Sequence, residues 1–214
     1  LAESLADSRP FRWIFSRGLD QPIEDVHDMF HLIVWHVMSA SKIGRLFLAA
    51  VPDAAAAARI CRLARALKHA HGFCGKIIEP ERLHVSLFFL GELSEQIVRV
   101  AGEAAAEVRM PPFEVSFDRS ASFRGKPGNR PLVLVGDGGL DRLKSFRRTL
   151  GVAMARKGLR YLANKDFTPH VTLLYADRDV EEHPIEPIRW TVNEFVLVHS
   201  LHGHVHLARW PLYI

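Results

Sequence analysis

A chain of 214 residues, 48% hydrophobic and 24% charged, has room for one domain or two small lobes sharing a core, and its composition excludes a disordered chain. Two cysteines, Cys61 and Cys74, are too few for a disulfide framework, and the longest apolar run, residues 29–38, is broken by His31 and His36 and is too short to span a membrane. Lysine and arginine outnumber aspartate and glutamate 28 to 24, a mild excess that suits an anionic partner such as RNA without requiring one.

Residues 1–42 read differently from the rest. Residues 9–25 are turn-rich and aromatic, and Pro22-Ile23-Glu24-Asp25 is set to open a helix with acidic residues in its first turn. This stretch lacks the basic, apolar and small-residue order of a signal peptide, so the chain reads as a reduced, cytoplasmic protein with no membrane partner. From residue 43 the pattern becomes regular. Residues 45–51 are expected as a strand closed by Pro52-Asp53, and residues 54–70 as a helix ended by Gly72. Pro80-Glu81-Arg82 leads into a second strand that contains His84 and ends at Gly91. Ser94 is placed to cap a helix running to about residue 108. Residues 113–117 alternate as a strand, 124–131 form a basic Gly/Pro loop, and 132–135 are a further strand. A helix over 140–157, a strand over 167–175 containing His170, and strands over 189–199 and 205–213 complete the chain.

Strand, helix and histidine-bearing strand thus occur twice in the same order. Such a duplication predicts an α+β fold of two pseudo-symmetric lobes, each an antiparallel-rich β-sheet with outer helices, and an active-site groove between them. The two histidine segments are His84-Val85-Ser86-Leu87 and His170-Val171-Thr172-Leu173. Successive strand side chains alternate between faces, so each histidine shares a face with the hydroxyl two residues on. Two such strands facing each other would gather two imidazoles and two hydroxyls, a set able to hold one small anion and move protons on both sides of it.

These segments with their flanks, His84 to Glu92 and Phe167 to Leu173, resemble the paired His-x-Thr/Ser motifs of the 2H phosphoesterase superfamily, and within it the RNA 2′,3′-cyclic phosphodiesterases, historically called 2′-5′ RNA ligases. The resemblance extends from about residue 43 to 214 and leaves 1–42 as an N-terminal extension outside it. It implies metal-independent hydrolysis of a 2′,3′-cyclic phosphate on RNA or a nucleotide, without a cofactor. In the roles it implies, His84 is the general acid that protonates the leaving ribose oxygen and His170 the base that activates water, giving a 2′-phosphate. Reverse 2′-5′ ligation is the same chemistry with the two roles exchanged. Ser86 and Thr172 would donate to the non-bridging phosphate oxygens, where negative charge persists through the transition state. Many relatives carry an arginine where this chain has Tyr175. Either Tyr175 supplies a weaker hydrogen bond, or Arg124, Lys126, Arg130 or Arg178 substitutes, with Arg130 placed among the substrate-binding residues. Phe88 and Tyr175 are candidates for stacking a nucleobase.

Other readings stand beside this one. The substrate could be a 2′-5′ oligonucleotide or an ADP-ribose cyclic phosphate. His202, His204 and His206, spaced by two, would share one face of a strand and suggest a three-nitrogen metal hydrolase, although Gly203 argues for a turn there. His27 and His31, four apart on a helix, are a weaker pair. A non-catalytic RNA-binding module is the remaining alternative, against which stand both complete acid–base motifs. The oligomeric state is not legible.

Overall fold

The computed structural model describes residues 45–91, 95–160, 166–200 and 203–213; the N-terminal extension, His27, His31, Ser94 and His202 lie outside them. Eight strands form two four-stranded antiparallel sheets. The first has the order β2-β1-β7-β8, from β1 (Arg45–Ala50), β2 (Val85–Gly91), β7 (Glu194–Ser200) and β8 (Val205–Pro211). The second has the order β5-β4-β3-β6, from β3 (Phe113–Ser122), β4 (Arg130–Val135), β5 (Val171–Ala176) and β6 (His183–Val192). The expected duplication is therefore present. In each half a strand and a helix precede a histidine strand that returns as the antiparallel edge neighbour of the first strand.

Helix α1 (Ala54–His71) begins where Asp53 accepts a 2.7 Å hydrogen bond from the Ala56 N–H, and it ends at Gly72 in the left-handed region, φ +65°. It buries Ala56, Ile60, Cys61, Ala64 and Leu67 along one stripe. Helix α2 (Glu95–Ala106) lies against α3 (Asp141–Arg156). The helices bridge the lobes, and α3 packs on β3 of its own sheet as well as reaching the other. Helix α1 leaves the first sheet and packs on β5 and β6 of the second, where the Arg59 guanidinium donates to the Pro187 carbonyl at 3.0 Å. Helix α3 leaves the second sheet and reaches the first: Phe146 meets the Phe195 ring of β7, and Arg147 donates to the Leu87 carbonyl of β2 at 3.0 Å. One continuous apolar core, from Leu46 and Leu48 through Phe117 and Phe146 to Leu212, joins both sheets and all three helices.

The expected single strand over 189–199 is two strands. β6 ends at Val192 in the second sheet and β7 begins at Glu194 in the first, so a single residue, Asn193, joins these two strands. The burial pattern changes at that point. β6 is an edge strand with one solvated face, burying Ile188, Trp190 and Val192 alternately, whereas Phe195 to Val198 in central β7 are buried on both faces. Pro184 and Pro187 sit in β6, where an edge position leaves room for residues without an N–H. Arg130 and Pro131, expected in a loop, are the first residues of β4.

Candidate active site

Each sheet has a second face, turned away from the main core. On the first sheet it carries the small cluster Phe47, Ala49, Val196 and Val198, and on the second Ala121, Val133 and Val135 with Phe123 beside them. His84 lies against Phe47, ring centroids 4.7 Å apart, and His170 against Phe123 at 4.9 Å. A proton on His170 would also disfavour one on His84. The histidines therefore stand one on each of these two faces, and the expected groove is the space between them.

Both histidines stand just before their strands and are held in the same way. His84 Nδ1 is 2.7 Å from the Arg82 carbonyl, and His170 Nδ1 is 2.8 Å from the Thr168 carbonyl, two residues back in each case. A carbonyl can only accept, so each Nδ1 carries a proton and each neutral ring keeps its lone pair on Nε2. That leaves Nε2 of each ring for chemistry. His84 Nε2 lies 3.1 Å from Ser86 Oγ on the same face. Thr172, in the duplicate position, is likewise half-buried.

The two strands carry matching irregularities. Ala49 pairs with Ser86 and Leu48 with Phe88, leaving Leu87 as an extra residue in β2. Val133 pairs with Thr172 and Leu132 with Leu174, leaving Leu173 extra in β5. A bulge of this kind inverts the alternation beyond it. Phe88 consequently joins the main core, 3% exposed, with the Arg147 guanidinium 4.5 Å above its ring. Its expected role as a base platform is thus corrected: it has no face on the groove. Phe89 takes that place, 50% exposed and paired with Phe47 of the groove face. Tyr175, 43% exposed, is its counterpart in β5, each aromatic standing five residues after its histidine. Uninterrupted alternation puts Phe88 rather than Phe89 on the face of His84, whereas aligning the two copies on their histidines pairs Phe89 with Tyr175.

Two of the four cations expected to replace the missing arginine are engaged elsewhere. Arg130 shares its face with Leu132 and Leu134 and forms an ion pair with Asp179, so the structure does not bring it to the groove. Arg178 closes the C-terminus of α1 instead, donating to the His71 carbonyl at 2.8 Å and to the Gly72 carbonyl at 3.3 Å. Arg124 and Lys126 are exposed on the β3–β4 hairpin that follows Phe123.

Near the C-terminus, His204 turns its ring to His84 and Phe47, while His206 Nδ1 accepts a 2.7 Å hydrogen bond from the Arg209 guanidinium. Among the described residues no group of three His, Cys, Asp or Glu side chains is arranged to hold a metal ion. Burial, the first cause in each case, pushes the pKa values of His84, His204 and His206 below the ordinary imidazole range, that of His204 to about 4. For His84 the Arg82 carbonyl bond opposes the shift, and the charges of His170, Arg82 and His206 add to it.

Residues 51–204 match the sequence profile of the 2′-5′ RNA ligase superfamily, a span that holds both histidine motifs. The RNA 2′,3′-cyclic phosphodiesterase of Archaeoglobus fulgidus is 36% identical over 111 residues, which cover 50% of this chain and 60% of that protein. The protein of the same name from Escherichia coli is 28% identical over 149 residues, covering 64% of this chain and 80% of that protein. The chain spans 60% and 64% of the length of the Archaeoglobus fulgidus and Aeropyrum pernix relatives. Among solved structures, Escherichia coli LigT complexed with 3′-AMP superposes with a TM-score of 0.64 at 26% identity, over 80% of this chain and 99% of that one. TT0787 of Thermus thermophilus shares the fold, with a TM-score of 0.60 at 22% identity over 78% of this chain and 97% of that one.

Proposed function

The chain belongs to the 2′-5′ RNA ligase superfamily, and on that premise we propose that it hydrolyses a 2′,3′-cyclic phosphate at the end of an RNA or nucleotide to the 2′-phosphate. The observation that carries this reading is the pair of imidazoles, each with Nδ1–H given to a backbone carbonyl and Nε2 left for the groove. Opening the ring requires water to lose a proton on one side of phosphorus and a ribose oxygen to gain one on the other. Two imidazoles on opposite walls supply both transfers. His170 takes the proton from water, and His84, protonated when the anionic substrate sits beside it, gives one to the departing oxygen. The lowered pKa of His84 makes its imidazolium a readier donor, and the charge of the bound phosphate offsets the desolvation that disfavours protonation.

Ser86 and Thr172, on the same faces as the histidines, donate to the non-bridging oxygens. Tyr175 and Phe89 stand farther along the same two walls, where Tyr175 reaches the phosphate or ribose and both rings can flank a base. The complex of LigT with 3′-AMP supports a nucleotide as the bound species. By microscopic reversibility the same pair can run the ligating direction, with acid and base exchanged.

His84→Ala and His170→Ala are each expected to lower kcat on a 2′,3′-cyclic nucleotide by at least about 10²-fold, the scale of losing one general acid or base, with the urea midpoint little changed. Retention of most activity by either variant refutes the mechanism. Turnover is expected to survive EDTA. Loss on chelation with recovery on added zinc would instead favour the metal reading built on His202, His204 and His206.

A further inference from the structure

The two motifs match in sequence, but their surroundings differ. At His84 three rings meet. Phe47 lies beneath it at 4.7 Å, and His204 stands edge-on to His84 at 5.0 Å, with interplanar angle 66°, and to Phe47 at 5.4 Å, with interplanar angle 73°. At His170 the corresponding ring contact is to Phe123 alone among the described residues.

His204 arrives from two strands away. Phe47 pairs with Val198, and Val198 pairs with His206, so His206 lies beyond β7 from the floor of the site. The chain turns back at Gly203, whose φ of +129° is one that residues with a Cβ rarely adopt, and this lays the His204 ring across the groove face.

We infer that His204 is a positioning residue for His84, forming with Phe47 a two-walled socket that fixes the plane of the His84 imidazole and aims Nε2 at the groove. The Nδ1 bond to the Arg82 carbonyl anchors one ring atom, yet the ring can still rock about that bond. A floor and a perpendicular edge remove that freedom. His204 suits the task because it stays uncharged at neutral pH and so does not oppose a proton on His84. The other charged or titratable groups whose influence reaches His84 are His170 from the opposite wall, Arg82 from the preceding turn and His206 from β8. None of the three makes a ring contact with it among the described residues. Catalysis by general acid is sensitive to sub-ångström placement, and a residue that only holds another acts on kcat rather than on substrate affinity.

The test uses the full chain with His204→Ala and His204→Phe. Kinetics on a 2′,3′-cyclic nucleotide are read beside NMR titration of the His84 and His170 rings without substrate. His204→Ala is expected to lower kcat at least about tenfold with KM changed less than twofold. It should also raise the His84 titration toward the ordinary range. His204→Phe keeps a ring edge without basic nitrogens and should restore most of kcat at an unchanged urea midpoint. An unaltered His204→Ala enzyme, a rise in KM at constant kcat, or failure of His204→Phe to rescue would each overturn the inference. The kinetic arm rests on the phosphodiesterase reading; if the unaltered chain does not turn over cyclic phosphates, that reading fails by itself. The titration arm then still decides the socket, and a His84 signal unmoved in His204→Ala would refute it.

Discussion

Phe88 and Phe89 are adjacent and chemically identical, and the bulge at Leu87 decides that Phe88 faces the core and Phe89 the other face. Replacing each by alanine should therefore separate stability from substrate binding. Phe88→Ala opens a cavity in the main core, for which loss of a buried phenylalanine costs roughly 3–5 kcal/mol. The upper half of that range applies, because the Arg147 guanidinium 4.5 Å above the ring also loses one of its two aromatic contacts, keeping the one to Phe167. With a urea m-value of about 2 kcal/mol/M, a loss of about 4 kcal/mol lowers the midpoint by about 2 M. Phe89→Ala removes a half-exposed ring and should alter stability by no more than about 0.5 kcal/mol. If Phe89 flanks a base, its loss weakens binding by about 1–3 kcal/mol, or roughly 5- to 150-fold. Urea unfolding followed by far-ultraviolet circular dichroism measures the first quantity and KM for a 2′,3′-cyclic nucleotide the second. Equal shifts of midpoint for the two variants would refute the inversion of faces at Leu87.

Acid should begin to destabilise the fold at about pH 6.5, where free imidazoles take up protons. His84, His204 and His206 are held neutral in the folded protein, whereas in the unfolded chain each protonates near 6.5. The unfolded chain then binds more protons as pH falls below about 6.5, so the melting temperature should decline from there toward pH 4, where His204 itself becomes protonated. His204→Phe should flatten part of that decline, and an unchanged slope would contradict it. Asp53→Ala should cost about 1 kcal/mol through loss of the α1 cap, read as a lower urea midpoint at constant m.

Much of this arrangement is legible in the sequence. The order of strand, helix and histidine strand, repeated once, carries the duplication, and hydroxyls two residues after each histidine share its face because no irregularity intervenes. What was not legible depends on pairing. The extra residues Leu87 and Leu173 are apolar like their neighbours and become bulges only against β1 and β4, so Phe88 read as a groove residue and Phe89 did not. The break at Asn193 falls inside one continuous β-prone run and is visible only as a change from alternating to continuous burial. Arg130 is drawn off by Asp179, a partner 49 positions away that no local pattern announces. His204 carried a metal-like spacing, but the turn at Gly203 gives its ring to His84 instead.

The single-residue passage through Asn193 bears on how the enzyme would work mechanically. With β6 and β7 nearly contiguous and one core filling the space behind both sheets, the walls of the groove are held together at this crossing by a shared interior among the described residues. The separation of His84 from His170 is then a packing dimension, set by how thickly side chains such as Phe117, Phe146 and Phe195 fill the interior. Volume changes far behind the groove should act like a spacer between acid and base, altering rate without touching either histidine.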